Sequence, residues 1–407
     1  MRKSKKMLSA LTITTVLGLV GASCGSDADT ATTTAATTKA TVAGVDTTAA
    51  GTETTAGSDT TVATAVTTDV PVETTGGSSD APSGDVTACE VTDLGGVDDK
   101  GFNQSAYAAL TEAETKLGTK SELLESKSDA DYATNVQSFL QADCSIIVTV
   151  GFLLDSATAT AAKANPDQQF AIVDSDGLDN NGTPDDFSDD VALPNVRPLK
   201  FATDQSSFLA GYLAAGMSKS GTVATYGGIN IPPVTIFMEG FRLGIAHYNE
   251  VKGTDVQLLG WDGKEGSFAG NFDNLDDGKS LAQNFADEGA DVIFPVAGPV
   301  GLGSAAYATE AGGIRIIGVD VDQYVSNPAD APVYLSSVLK GITAAVLDTI
   351  KNVVDTGKAG KAYLGTLEND GTGLAEFHDQ DGDVPQELRD ELDQLKADII
   401  AGDITTS

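Results

Sequence analysis

From about residue 86 onward, short apolar runs alternate with longer stretches in which apolar residues recur every three or four positions. The short runs, rich in Val, Ile and aromatic side chains, predict buried strands, and the longer stretches predict helices with one apolar face. Residues 89–94 predict a first strand ending at Gly95-Gly96, where the backbone can take positive φ. A helix through Tyr107, Leu110 and Leu117 follows, with Asn103 or Ser105 as its cap. Strands are then predicted at 121–126, 145–150, 169–174 and 195–202, with helices at 131–142, 156–164 and 204–217. The face of the 131–142 helix carries Tyr132, Val136, Phe139 and Leu140. The pattern restarts at 222–226, a strand followed by a second glycine pair, Gly227-Gly228. Helices at 235–250, 274–288 and 304–312 alternate with strands at 256–259, 291–296 and 315–319, and a loop is predicted at 297–303. A strand at 333–338, a helix ending near 354 and a terminal helix at 385–401 complete the chain.

This rhythm implies parallel sheets covered by helices on both faces. Its restart implies two α/β lobes. The first is placed at roughly 88–203 plus part of 320–350, and the second at roughly 204–319 plus the C-terminal segment. About 320 residues also exceed one comfortable core. Open parallel sheets bind ligands beyond the strand C-termini, so a ligand is expected between the lobes.

Residues 1–87 lack the rhythm. A basic start with Arg2, Lys3, Lys5 and Lys6 precedes an apolar run at 7–20, then Gly21-Ala22-Ser23-Cys24. This reads as an export signal, its apolar run too short for a comfortable membrane span. The segment resembles a lipoprotein signal, which implies lipidation of Cys24, although Gly21 stands where leucine is preferred. The other reading is ordinary signal cleavage that leaves Cys24 as a free thiol. Residues 25–87 are Thr, Ala, Gly, Ser and Asp in low complexity, without an aromatic side chain. Such a segment is expected to stay disordered. As a tether its reach is roughly 45 Å.

Charge narrows the ligand. The net charge of −35 becomes −39 once the four basic side chains of the signal are removed. Such a surface repels nucleic acid and argues against ligands carrying several phosphates. Enzymatic signals are sparse. His247 lies in a predicted helix and His378 near an acidic loop, and no cysteine stands beside a histidine. No phosphate-binding loop of the Gly-x-x-x-x-Gly-Lys-Ser/Thr type occurs. Asp93-Leu94-Gly95-Gly96-Val97-Asp98-Asp99 is similar to the calcium-holding signature of nucleoside hydrolases, but Val91 stands where another Asp is needed. The loop from Asp174 to Asp190 and the stretch Asp379 to Asp383 resemble calcium loops. Both break the EF-hand register, with Asp179 and Val384 where glycine is needed. They are read either as calcium sites or as solvated acids. No cofactor is expected otherwise. Cys89 opens the first predicted strand and Cys144 precedes the third, neighbours in the usual order of such sheets. They are read either as a disulfide in an exported protein or as two buried thiols.

The stretch from Asp98 through Ala106, Asp-Asp-Lys-Gly-Phe-Asn-Gln-Ser-Ala, resembles the start of the basic membrane protein family of substrate-binding lipoproteins. Similar stretches follow in the family's order: Val150-Gly151-Phe152, Phe170 to Asp174, Ser207 to Tyr212, Phe237 to Phe241, Gly289 to Ile293 and Gly318 to Tyr324. The resemblance covers roughly 88–400. It implies a two-lobed, periplasmic-binding-protein-like (type I) fold that captures a purine nucleoside for the permease of an ABC importer, without catalysis. By the same resemblance Phe102 and Phe237 stack on the two faces of the base, with a core position as the alternative for Phe237. Asp174 takes the base edge and Asn103 supports it. Asp98 belongs to the turn facing the ligand. Gly298 and Gly301 bring backbone N–H groups to the ligand, although Pro299 replaces a family glycine. Asp320 and Lys340 hold the sugar hydroxyls. The alternatives are the same fold with another small polar ligand, such as a sugar, or a nucleoside hydrolase.

Overall fold

The computed structural model describes residues 86–183 and 187–407. The expected export signal, Cys24 and nearly all of the expected tether lie outside the described residues. So does the middle of the acidic loop.

The first lobe opens with β1 (Thr87–Val91), α1 (Phe102–Leu117), β2 (Lys120–Leu124), α2 (Asp129–Gln141) and β3 (Ile146–Val150). It continues with α3 (Asp155–Ala164), β4 (Gln169–Val173) and β5 (Val196–Phe201). The chain then crosses to the second lobe. There it forms α4 (Thr203–Met217), β6 (Thr222–Gly227), α5 (Pro232–Lys252), β7 (Gln257–Leu259) and α6 (Leu275–Asp287). β8 (Val292–Val296), α7 (Val300–Ala311), β9 (Arg315–Asp320), α8 (Gln323–Ser326) and β10 (Tyr334–Lys340) follow. It returns to the first lobe for α9 (Ile342–Thr356) and β11 (Tyr363–Gly365), and ends in the second with β12 (Thr372–Leu374) and α10 (Gln386–Ala401).

The two sheets have the same architecture. Their strand orders are β11-β5-β4-β3-β1-β2 and β12-β10-β9-β8-β6-β7. Every described pairing is parallel except that of β12 with β10. Each strand of one sheet therefore has a counterpart in the other, β4 with β9 and β5 with β10. The edge strands β11 and β12 are three residues each, too short to give a periodic signal in the sequence.

Three chain crossings join the lobes, near Ala202, Gly341 and 366–371. This differs from the expected boundaries. β10 belongs to the second lobe, and the first lobe's return segment is 342–365 rather than part of 320–350. The return segment is held from inside. Arg197 of β5 donates to Thr349 Oγ1 at 3.1 Å, to the Ala359 carbonyl at 2.9 Å and to Asp348 at 2.7 Å.

Strand alternation sends successive side chains of β1 to opposite faces. Ala88 packs with Leu110, Val148 and Val346 under α1 and α9, while Cys89 and Val91 pack with Tyr132, Phe139 and Phe170 under α2 and α3. The Cys89–Cys144 disulfide forms within the second cluster, its Cα atoms 6.0 Å apart across β1 and the entry to β3. In the second lobe α4 and α5 touch backbone to backbone. A Cβ at Gly211 would lie 2.0 Å from the Phe241 carbonyl, and one at Gly244 2.0 Å from that of Phe208. Only glycine permits this approach, and it fixes the helix that carries Phe237.

Candidate functional site

The C-terminal ends of both sheets face one another across a cavity. With its mouth included, it encloses about 580 Å³. Asp93, Leu94, Asp99, Phe102, Asn103, Gly151, Phe152 and Asp174 line it from the first lobe. Phe237, Phe272, Gly298, Pro299, Asp320 and Lys340 line it from the second, with an apolar patch of Ile231, Pro233 and Val234.

The turn after β1 is built by two side chains. Asp99 accepts the backbone N–H groups of Gly101 (2.9 Å), Asn103 (2.7 Å) and Gln104 (3.1 Å). It thus closes the start of α1, a role the sequence pattern gives to Asn103 or Ser105. The Asn103 amide folds back on the turn instead: its Oδ1 accepts the Asp93 N–H at 3.0 Å and its Nδ2 donates to the Leu94 carbonyl at 3.3 Å. Asn103 therefore lines the cavity with an amide already committed to holding the turn. Asp98 is exposed and lies outside the cavity, because the turn directs Asp99 inward and Asp98 outward.

Asp174, just beyond β4, and Asp320, the last residue of β9, occupy equivalent positions in the two sheets. Their φ angles are +67° and +69°. Non-glycine residues rarely adopt this left-handed region, and such strain concentrates at functional sites. Lys340 ends β10 and reaches across to Asp174, Nζ to Oδ2 2.5 Å. The same ammonium lies 4.9 Å from the Phe102 ring centroid, 5.3 Å from that of Phe237 and 5.6 Å from that of Phe201. Rings from both lobes thus meet around one cation.

Burial dominates the electrostatics. It pushes Asp320 up to about 7; Lys340 opposes the shift, and Asp174 and Asp99 add to it. It pushes Asp93 up to about 6 against the hydrogen bonds from Tyr132 and Leu94. Asp174 is raised by burial and pulled back by Lys340. Asp99 is raised by burial and pulled back by the N–H groups it accepts. Four carboxyl groups share the cavity with one lysine. Hydrogen-bond donors on a neutral ligand would stabilise their charged forms, whereas a phosphate would meet repulsion.

Phe237 combines the two roles weighed for it. It is 2% exposed and packs on Phe294, centroids 6.4 Å apart, yet its ring also lines the cavity. Gly298 lines the cavity, at φ +53°. Gly301 does not, because α7 begins at Val300, earlier than the expected 304. It is therefore helical and faces Pro295, its Cβ position 3.2 Å from that residue's Cγ. Pro299, the departure from the family pattern, meets the other lobe; a Cβ at Gly95 would lie 3.5 Å from its Cγ.

Phe272 is a wall residue not singled out from the sequence; Asp93, Asp99 and Phe152 stand in stretches quoted above but were given no ligand contact of their own. Asp93 and Asp99 flank the recognised turn, so their position was a usable signal. Phe272 sits at the end of the long segment after β7 and packs on Gly228, a long-range contact with no local signature. Outside the cavity, His247 packs on Phe208 and Tyr212, and His378 bonds Asp322 at 2.7 Å. In the acidic loop Asp176 pairs with Lys200, Asp179 with Lys163, and Asp189 accepts from Thr183. Among the described residues no group of three or more His, Cys, Asp or Glu side chains is arranged to hold a metal. No described helix is long and apolar enough to cross a membrane.

The family described as Bmp, ABC transporter substrate-binding protein PnrA-like, matches residues 86–405. The ABC transporter nucleoside-binding protein BmpA of Lactococcus lactis is 32% identical over 351 residues, 81% of this chain and 91% of that protein. A CD4+ T-cell-stimulating antigen of Listeria innocua is 31% identical over 80% of this chain and 89% of its own length. Among solved structures, a solute-binding protein of an ABC transporter system from Aeropyrum pernix K1 shares the fold. Its TM-score is 0.69 at 23% identity, over 79% of this chain and 92% of that one. The fold, the cleft between its lobes and the span of the match agree: this chain belongs to the Bmp family of ABC transporter substrate-binding proteins.

Proposed function

We propose that the protein captures a purine nucleoside between its lobes and presents it to the permease of an ABC importer on the extracytoplasmic face of the membrane. One observation carries the reading. Phe102 and Phe237, from opposite lobes, line one cavity whose other polar side chains are four carboxyls, a single lysine and the Asn103 amide that holds the turn. A purine offers two π faces for the rings and edge donors for Asp174, and a ribose offers hydroxyl donors for Asp320 and Asp93. Because both lobes contribute, ligand contacts favour the closed arrangement, and capture is a hinge closure about the three crossings. The nucleoside-binding relative from Lactococcus lactis supports the ligand class.

The signal pattern ending at Cys24 supports a lipid anchor, with 25–87 as its tether. A fatty-acid probe should label the wild-type protein in cells and leave Cys24→Ala unlabelled. For the ligand, calorimetry with inosine, guanosine, adenosine, cytidine, ribose and inosine monophosphate is decisive. Heat is expected with the purine nucleosides and at most weak heat with the rest. Binding of ribose but of no nucleoside would overturn the reading, as would equal binding of the monophosphate.

A further inference from the structure

Tyr132 is predicted as a core side chain of an amphipathic helix, and in the fold α2 contributes no residue to the cavity wall. Its ring is 4% exposed and packs with Val136 and Phe139. A phenylalanine would fill that role. The hydroxyl instead passes through the apolar layer and donates to Oδ1 of Asp93, a carboxyl of the cavity wall. The Leu94 N–H donates to the same oxygen at 2.7 Å. Oδ2 lies against Gly151, which also lines the cavity; a Cβ there would come within 2.2 Å of it, and the φ of +114° suits glycine alone.

We infer that Tyr132 is a positioning residue: from outside the cavity it fixes the rotamer of Asp93 and holds that carboxyl ionised for a hydrogen-bond donor on the ligand. What occupies the cavity rests on the nucleoside reading above; the hold of Tyr132 on Asp93 does not. The balance at Asp93 is close. Burial raises its pKa, and Asp129 at the start of α2 and Asp174 beyond β4 add to the rise. The Tyr132 and Leu94 donors oppose it, and Lys340 is the one cation lining the cavity. The same burial, with Asp93 and Asp129 nearby, drives the Tyr132 hydroxyl upward, so it stays protonated and remains a donor.

The test is Tyr132→Phe, which keeps the ring and removes one O–H. The Asp93 carboxyl is followed by carbon-detected NMR in the ligand-free protein, assigned by its loss in Asp93→Asn. Loss of a hydrogen bond to a charged group should raise the midpoint by about one to two pH units. Inosine serves as the binding probe. Its affinity should fall roughly tenfold at pH 6.5 and less than about twofold at pH 8.5, following the ionised fraction of Asp93. Phe139→Leu, on the same face of α2, should lower the melting temperature and leave the midpoint in place. An unchanged midpoint in Tyr132→Phe overturns the inference, and so does an equal shift in Phe139→Leu. If wild-type protein takes up no purine nucleoside, the functional reading falls while the NMR titration still decides whether Tyr132 governs Asp93.

Discussion

The Lys340 ammonium in the second lobe lies 2.5 Å from the Asp174 carboxylate in the first, with side chains 3% and 9% exposed. The pair spans the cleft beside the chain crossing at Gly341. Removing one partner of a buried pair strands the other charge. Lys340→Met should therefore lose about 3–5 kcal/mol in urea unfolding at pH 8. The loss should shrink at pH 5. Without its cation Asp174 has a folded pKa further above the unfolded value, and its contribution to stability is retained at low pH and lost as pH rises. An equal loss at both pH values would show that the pair is solvated.

The two rings should separate in their effects. Phe237→Ala should cost about 3–5 kcal/mol of stability, because that ring also belongs to the core of its lobe. Phe102 is only partly buried, and Phe102→Ala should leave the melt nearly intact while weakening purine nucleoside binding by about 1–3 kcal/mol. Calorimetry beside thermal unfolding checks both. Undiminished binding in Phe102→Ala would remove that ring from the ligand's surroundings.

Glu90, the penultimate residue of β1, has both carboxyl oxygens buried and without a hydrogen-bond partner. Burial, with Asp99 adding, drives its pKa well upward. Its proton is thus held more tightly in the folded chain, so stability from this group is complete below the unfolded pKa and declines as pH rises through the folded one. Glu90→Met fills the same space without a polar group. It should gain about 1–3 kcal/mol at pH 8 and flatten that part of the stability–pH curve. Unfolding measured at pH 4, 6 and 8 checks this, and a destabilised variant at pH 8 would contradict it.

The Cys89–Cys144 bridge closes 55 residues. Loop-closure entropy sets its effect at about 4 kcal/mol as an upper figure. Cys89→Ala/Cys144→Ala should lose about 2–4 kcal/mol. Nucleoside affinity should change little, because neither cysteine lines the cavity and Cys144 stands before the start of β3, at the strand end away from the cleft. Denaturation with and without reductant gives the comparison.

Legibility followed the range of the interactions. Apolar periodicity placed most strands and helices within a few residues, because burial on one face or both is written locally in the pattern. Periodicity put Asp174, Asp320 and Lys340 at or just past strand ends, where they lie in the fold; their expected roles came from the family resemblance. The turn after β1 was legible as a unit but not in its details. Which of Asp98 and Asp99 points inward depends on three backbone N–H groups converging on one carboxylate, a matter of local three-dimensional geometry.

By itself the sequence determined two α/β halves, an acidic composition and a cleft expected at the strand ends, and the family resemblance supplied an expected ligand class. The tertiary structure decided which lobe each late segment joins, because three-residue edge strands carry no period of their own. It made Gly301 part of a helix and brought Phe272 to the wall from a distant segment. It also set the carboxyls' proton affinities, since burial and the single nearby lysine are properties of the assembled cleft and of no stretch of chain read alone.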